Sequence, residues 1–401
     1  MDSPYSGAIL HSACDSYMLI ECIGRGGYCS VWSATNLDGD IVAVKIYENA
    51  FNNLSDTRRI LREITLVRSF VGCPRLVHVL DAITPRAPDS TSIALVFRHH
   101  GINLYDLLQC KSGITDAHVW HIIYQIVWAL RALHRAGVVM GDMKLSNVLV
   151  DECCRVVLCD FNLSLARPLP DQERPLLRMT EGYRAPECMM LAPLTDELAC
   201  AIDIWGLGCV FAELLLSMDK GRPQTLMRSM FTSTGGQFAK VFSVIGTPSG
   251  AGWSLLEQHQ PKTAKQWLGK QHPSVLPTIL GANPDAAALI EQMLAFMPAE
   301  RPTAEMIYSL EVFADLRRDD AAIADIKEVD LSSIDLLWTE AALRTRSHQL
   351  IRAIQELRAT SGYASDGVSD GASDGASEST PVGNSGCESG LFGFESLIET
   401  A

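Results

Sequence analysis

The chain has 401 residues, 47% of them hydrophobic and 20% charged, with a formal net charge of −14. A composition of that kind at that length suits a globular protein with a sizeable core and two lobes, since domains average about 100 to 200 residues. The acidic balance argues against a general binder of nucleic acid, whose phosphates need clustered cations, and points to basic partners. Met1-Asp-Ser-Pro-Tyr5 lacks the cationic start and apolar run of a signal peptide. The longest apolar stretch, around Leu207 to Leu216, carries Glu213 and is short for a bilayer, so an intracellular protein is expected. Twelve cysteines are scattered without a CxxC pair, which fits buried reduced thiols better than a disulfide scaffold.

In chain order, Tyr17 to Ile23 and Cys29 to Ala34 alternate as strands around Gly24-Arg-Gly-Gly-Tyr-Cys-Ser-Val31. This glycine-rich hairpin can lay backbone amides over a triphosphate, although the signal is weak alone. Ile41-Val-Ala-Val-Lys45 reads as a strand ending in a lysine, and Thr57 to Arg68 as a helix carrying Glu63. Ile93-Ala-Leu-Val-Phe97 is another buried strand, Arg98-His-His-Gly101 a hinge, and Asn103 to Leu108 a short helix. His99 and His100 point apart in an extended segment with no third ligand spaced to help them, so no metal is expected there. Thr115 to Ala136 has an apolar face at Ile122, Ile123, Ile126, Val127, Leu130 and Leu133 behind a Thr N-cap, the spacing of a buried helix.

That helix leads into Val138-Val-Met-Gly-Asp-Met-Lys-Leu-Ser-Asn-Val-Leu-Val150, where two short apolar strands bracket a loop holding Asp142, Lys144 and Asn147. A further strand delivers Asp160 in Cys159-Asp-Phe-Asn162. The set suits phosphoryl transfer. Asp142 can accept a hydroxyl proton, Lys144 can neutralise a moving phosphoryl group, and Asp160 with Asn147 can hold magnesium between phosphates.

At these residues the chain resembles eukaryotic protein kinases, whose catalytic loop reads H-R-D-x-K-x-x-N and whose metal motif reads D-F-G. Met140, Gly141 and Asn162 depart from that pattern; Asn tolerates positive φ and is expected to stand in for the glycine. The glycine-loop pattern is matched at Gly24, Gly26 and Val31, with Cys29 in place of the third glycine. The resemblance implies that Glu63 orients Lys45 toward the phosphates of ATP. It also places Ala43, the gatekeeper Phe97, His99 and Asn103 around the nucleotide, and the thiols of Cys29 and Cys159 beside it. Thr180 matches a threonine that bridges the catalytic Asp and Lys, Asp203 one that anchors the catalytic-loop backbone, and Arg301 the partner of Glu187 in Ala185-Pro-Glu187. Tyr183-Arg184 is similar to the group of cyclin-dependent and mitogen-activated protein kinases. The likeness runs from about Tyr17 to Leu316.

The fold implied is α+β: a bilobal protein-kinase fold with a small β-rich N-lobe over 17–97, a larger, mainly helical C-lobe over 98–327, and a C-terminal extension. A leader covers 1–16. Ser332 to Arg358 reads as an amphipathic helix with Leu336, Leu343, Leu350, Ile354 and Leu357 near one face, and resembles the extension that mitogen-activated protein kinases fold back onto the N-lobe. Residues 359–401 contain no Lys, Arg or His and repeat Ser-Asp-Gly at Ser365, Ser369 and Ser373, the composition of a disordered acidic tail. Its end, Leu391-Phe-Gly-Phe394, is apolar enough for docking.

The function implied is an ATP- and magnesium-dependent serine/threonine protein kinase with a proline-directed leaning; the alternative is a pseudokinase or scaffold that uses the same fold to bind partners. Expected partners are protein substrates, basic or proline-containing, and docking proteins met through the extension and tail, with no nucleic acid and no membrane. The expected location is the cytoplasm, the nucleus or both. Between Asp160 and Glu187 the hydroxyl side chains are Ser164, Thr180 and Tyr183 alone. Pro175 and Leu177 stand where the mitogen-activated family would carry its two phosphoacceptors, and Gly141 offers no charge to receive a phosphate. Activity without a loop phosphate follows as an expectation.

Overall fold

A computed structural model describes residues 5–27, 29–84, 92–110, 113–167, 179–192, 195–196, 198–218, 237–270, 272–281, 283–318, 329, 331 and 339–361. Six strands form one antiparallel sheet: β1 (Ile9–His11), β2 (Ser16–Arg25), β3 (Ser30–Thr35), β4 (Ile41–Tyr47), β5 (Val79–Ile83) and β6 (Ile93–Arg98), in the order β1-β2-β3-β4-β6-β5. Alternation along the strands buries Tyr17, Leu19, Trp32, Ala34, Val42 and Val44 in a cluster on the outer face, where Tyr5, Ala8 and Leu10 pack over them. The stretch before Tyr17, expected as a leader outside the lobe, thus supplies both an edge strand and part of the cover. Three residues are too few to show a period, which is why β1 was not legible.

Helix α1 (Leu54–Ser69) starts a turn earlier than the apolar pattern suggests, because Asn53 caps it by accepting the N–H groups of Ser55 and Asp56. Ile60, Leu61, Ile64 and Val67 bury one side of α1 in the core, and Glu63 is buried with them. Below the sheet come β7 (Ile102–Asn103), α2 (Leu104–Gln109) and α3 (Asp116–Arg135), whose N-cap is Thr115. Then follow β8 (Val138–Val139), β9 (Val148–Val150), β10 (Val156–Leu158) and β11 (Leu165–Ala166), paired as two small sheets, β10-β9-β7 and β11-β8. The loop from β8 to β9 carries Asp142, Lys144 and Asn147.

Helices α4 (Pro186–Met190) and α5 (Ala201–Met218) follow. By length and composition α5 could cross a membrane, although its apolar run looks shorter in the sequence; 67% of it is buried inside the fold, which makes it the core helix of the C-lobe. Further helices include Gln237–Ile245, Gly250–His259 and Pro284–Met293.

The last described helix, Glu340–Ser361, returns to the N-lobe and packs on α1 and β5. Leu343, Leu350, Ile351 and Ile354 are buried, while Leu357, expected on that face, is 40% exposed. Gln355 Nε2 donates to the Ala82 carbonyl at 2.8 Å, and the Arg344 guanidinium lies 4.2 Å from the Phe51 ring centre. The helix runs three residues beyond the expected boundary at Arg358. Residues 332–338, 319–328 and 362–401, and with them Leu336, the start of the extension and the acidic tail, lie outside the described residues.

One buried ion pair ties the C-lobe together. Arg301 Nη1 and Nη2 donate to the two Glu187 oxygens, each at 2.7 Å, with side chains 0% and 3% exposed. Arg301 also donates to the carbonyls of Ala295, Ala201 and Phe296 and lies 5.0 Å from the Trp205 ring centre. Removing one member leaves a buried charge alone, so Arg301→Met is expected to cost about 3 to 5 kcal/mol. Urea unfolding of the single variant beside Arg301→Met with Glu187→Gln checks it, with the double variant recovering part of the loss.

Candidate active site

Strand pairing assembles the cleft side of the sheet. Gly24 faces Val31, Val31 faces Lys45 and Lys45 faces Leu95 across neighbouring strands, and Ala43 faces Phe97 two residues along. Directly opposed residues share a face, so Gly24, Val31, Ala43, Lys45 and Phe97 line one surface. The hairpin is closed by the Gly26 N–H donating to the Cys29 carbonyl at 2.9 Å. His99 is half-buried in the segment after β6. Asn103, expected at the nucleotide, is engaged locally in this structure. Its side chain caps α2, accepting the Asp106 N–H at 2.9 Å and donating to the Asp106 carboxylate at 2.6 Å.

Lys45 Nζ reaches two carboxylates at once, Glu63 at 2.7 and 3.0 Å and Asp160 at 2.6 Å. Burial pulls the Lys45 pKa down, but Asp160 and Glu63 outweigh it and hold it well above the ordinary lysine value, so the cation persists. Burial opposes ionisation of Asp160 as well, yet Lys45, with Lys144 and the Asn162 N–H, holds its pKa below the usual range. The Tyr47 hydroxyl also donates to Glu63. Sequence reasoning missed this contact, although Tyr47 stands two residues beyond Lys45 and therefore on the same face of β4.

Asp142 is held from three sides. Lys144 Nζ donates to its Oδ2 at 2.5 Å and to the Thr180 hydroxyl at 2.9 Å; Thr180 donates its hydroxyl and its N–H to Asp142 Oδ1 at 2.7 and 2.9 Å. Asn147 Nδ2 donates to the Asp142 carbonyl at 2.9 Å and to its Oδ2 at 3.3 Å. The amide nitrogen is thereby engaged, and the Asn147 oxygen is the donor atom left for a cation. Burial pushes the Cys29 thiol up to about 11, and burial together with Asp160 pushes the Cys159 thiol up to about 12. Both are therefore poor nucleophiles near neutrality.

The catalytic-loop backbone hangs on Asp203. Its fully buried carboxylate accepts the N–H groups of Met140 and Gly141, each at 2.8 Å. Close approach of the loop to α5 depends on Gly206, where a Cβ would come within 2.7 Å of Met143 Cβ and 2.8 Å of the Met143 carbonyl oxygen. The three departures resolve differently. Met140 is fully buried and packs in the core. Gly141 has φ 78°, and a Cβ there would sit 2.6 Å from the Leu163 carbonyl oxygen. Asn162 does not take the positive φ expected of it; among the described residues of this motif the left-handed backbone falls on Asp160, at φ 62°.

Sequence reasoning also missed His134, whose Nε2–H donates to Asp203 at 2.9 Å from the last turn of α3. No spacing rule connects it to residue 203; only the packing of α3 against α5 does. Burial pulls the imidazolium pKa down, but hydrogen bonds to Asp203 and Cys200 outweigh it and raise the value from 6.5 to about 9. A raised pKa means stability that is fully present below about 6.5 and lost as pH rises through about 9, on the order of 3 kcal/mol. Urea unfolding between pH 6 and 10 is expected to show that loss in the wild type and a flatter profile in His134→Asn.

Comparison with known proteins gives the family. The protein kinase domain model matches residues 17–313. The chain is 32% identical to "Extracellular signal-regulated kinase 1" of Dictyostelium discoideum over 72% of its own length and 53% of the relative's. It is 31% identical to "Mitogen-activated protein kinase 15" of Xenopus laevis over 72% of its own length and 48% of the relative's. With "Mitogen-activated protein kinase 4a" of Physcomitrium patens the identity is 31%, over 80% of this chain and 85% of the relative. The chain therefore belongs to the protein kinase family, with mitogen-activated protein kinases among its relatives. It spans about half the length of the first two.

Proposed function

We propose that the chain is a serine/threonine protein kinase that transfers the γ-phosphoryl group of ATP to protein hydroxyls with magnesium as cofactor. The observation that carries this reading is the charge set meeting at the cleft: Lys45 bridging Glu63 and Asp160 while Lys144 and Thr180 hold Asp142. Asp142 is the base that orients the acceptor hydroxyl and takes its proton. Lys144 and Thr180 fix its carboxylate, and Lys45 supplies fixed positive charge for phosphate oxygens. One carboxylate and one amide oxygen, from Asp160 and Asn147, form the hard oxygen set that suits magnesium. Bound there, the ion would neutralise charge on the phosphates.

Activity independent of a loop phosphate is the finer part of the proposal. Ser164 is fully buried and donates to the Met140 carbonyl at 2.7 Å, and Tyr183 donates to Glu213 at 2.6 Å. Thr180 is committed to Asp142, and Gly141 carries no cation. Pro175 and Leu177, like the other residues of 168–178, lie outside the described residues. The likeness of Tyr183-Arg184-Ala-Pro-Glu187 to mitogen-activated kinases supports proline-directed targets, and the net charge of −14 supports basic ones. We place the protein in the cytoplasm or nucleus by the same resemblance.

The test is a single-turnover assay with magnesium ATP and a basic protein substrate, using full-length protein made in bacteria and stripped by phosphatase. Transfer is expected, with Asp142→Asn and Lys45→Met slower by two to three decades, equivalent to about 3 to 4 kcal/mol of barrier. Lys45→Met turning over within about threefold of wild type would sink the assignment. No transfer above the Asp142→Asn control would leave the fold as a partner-binding scaffold. Activity more than about tenfold below that of protein from native cells, tracking phosphate on Ser164, Thr180 or Tyr183, would refute the loop reading.

A further inference from the structure

A second polar cluster lies on the N-lobe, away from the cleft. Arg358, on the last described turn of helix Glu340–Ser361, donates to Asp15 Oδ2 at 2.5 Å, to Asp81 Oδ2 at 3.0 Å and to the Tyr17 hydroxyl. Tyr17 in turn donates to Asp81 at 2.8 Å. The side chains of Asp15 and Asp81 are 4% and 0% exposed. Their other partners are backbone N–H groups, Ser16 and Leu37 for Asp15 and Ala82 for Asp81. Among the described residues Arg358 is the one cation paired with either. Two carboxylates taken out of water are costly unless matched by positive charge, so this corner closes only when Arg358 is in it.

The corner joins three stretches far apart in sequence: the turn between β1 and β2, strand β5, and the returning helix. The same helix packs on α1 as well as on β5, with Leu343, Leu350, Ile351 and Ile354 buried, and α1 carries Glu63. Gln355 adds a hydrogen bond to the Ala82 backbone next to Asp81. Fixing the end of the helix at β5 therefore restrains α1 against the sheet, and with it the Glu63 carboxylate against Lys45.

We propose that Arg358 is a positioning residue for phosphoryl transfer: it pins the returning helix to β5 and the N-terminal strand, and the pinned helix holds α1 so that Glu63 stays on Lys45. The proposal rests on the kinase reading for its effect on rate but not for its effect on α1. The test compares full-length wild type with Arg358→Lys, with Arg358→Gln, and with Arg358→Gln combined with Asp15→Asn and Asp81→Asn. The combined variant removes all three charges and leaves no buried carboxylate unpaired. Readouts are kcat and KM for ATP and peptide, the thermal midpoint, and amide hydrogen exchange across Leu54–Ser69.

Arg358→Gln is expected to lower kcat by about tenfold or more with little change in KM for peptide, and to speed exchange in α1. Arg358→Lys should recover to within about threefold of wild type. The combined variant should regain the thermal midpoint but not kcat or α1 protection, an outcome that a merely structural role does not produce. Should Arg358→Gln fail to fold, the combined variant decides alone. Wild-type kcat and wild-type α1 exchange in the combined variant would overturn the proposal. A wild-type protein that transfers no phosphate would defeat the functional reading, and α1 exchange would still settle whether Arg358 holds the helix.

Discussion

Lys45 is the charge on which the two lobes meet. It is buried, it belongs to the N-lobe sheet, and it pairs with one carboxylate from α1 and another from the turn after β10. A lysine so far from water is tolerable only beside a counter-charge, and here it has two. The sheet, α1 and the Asp160 turn are therefore mutually constrained: displacing any one leaves an ion without a counter-charge. The Tyr47 hydroxyl on Glu63 adds a further restraint on that carboxylate.

A second restraint acts from below. Asp203 presents its carboxylate from α5 to the backbone of Met140 and Gly141, and Gly206 lets Met143 settle against the helix. The loop residues are thus fixed by main-chain contacts that do not use the side chain at 140, while the backbone conformation at 141 needs the glycine that stands there. This is why the departures from the family pattern leave the Asp142 geometry standing. Met140 brings an apolar side chain to a fully buried site. Gly141 occupies a left-handed backbone position where any Cβ would strike the Leu163 carbonyl. Asp160, a non-glycine residue, is held at φ 62°, and a backbone of that kind belongs where surrounding contacts over-determine it.

The charge set of the cleft was legible because it depends on residue type and order. A lysine ending an apolar strand, a glutamate on the next helix, Asp-x-Lys-x-x-Asn between short strands and an Asp at a following strand end name the charges without any coordinates. Helix α3 was legible because its apolar period and Thr115 cap are local. A side chain can also have a local use that the resemblance does not name: Asn103, placed at the nucleotide by resemblance, caps α2 through its oxygen and bonds the Asp106 carboxylate through its nitrogen.

By itself, then, the sequence determined the charged groups and the longer strands and helices, since charge, period and capping are properties of neighbouring residues. Only tertiary structure decided which of them meet. Three residues at Ile9–His11 gain a role as a strand solely because β2 offers its edge. His134 becomes the partner of Asp203 through the packing of two helices separated by 65 residues of chain, counted from Arg135 at the end of one to Ala201 at the start of the other. Arg358 finds Asp15 and Asp81 more than 270 positions away in sequence. The physical reason is the same in each case: a buried polar group must be satisfied, and the fold, not the chain order, determines which partner is within reach.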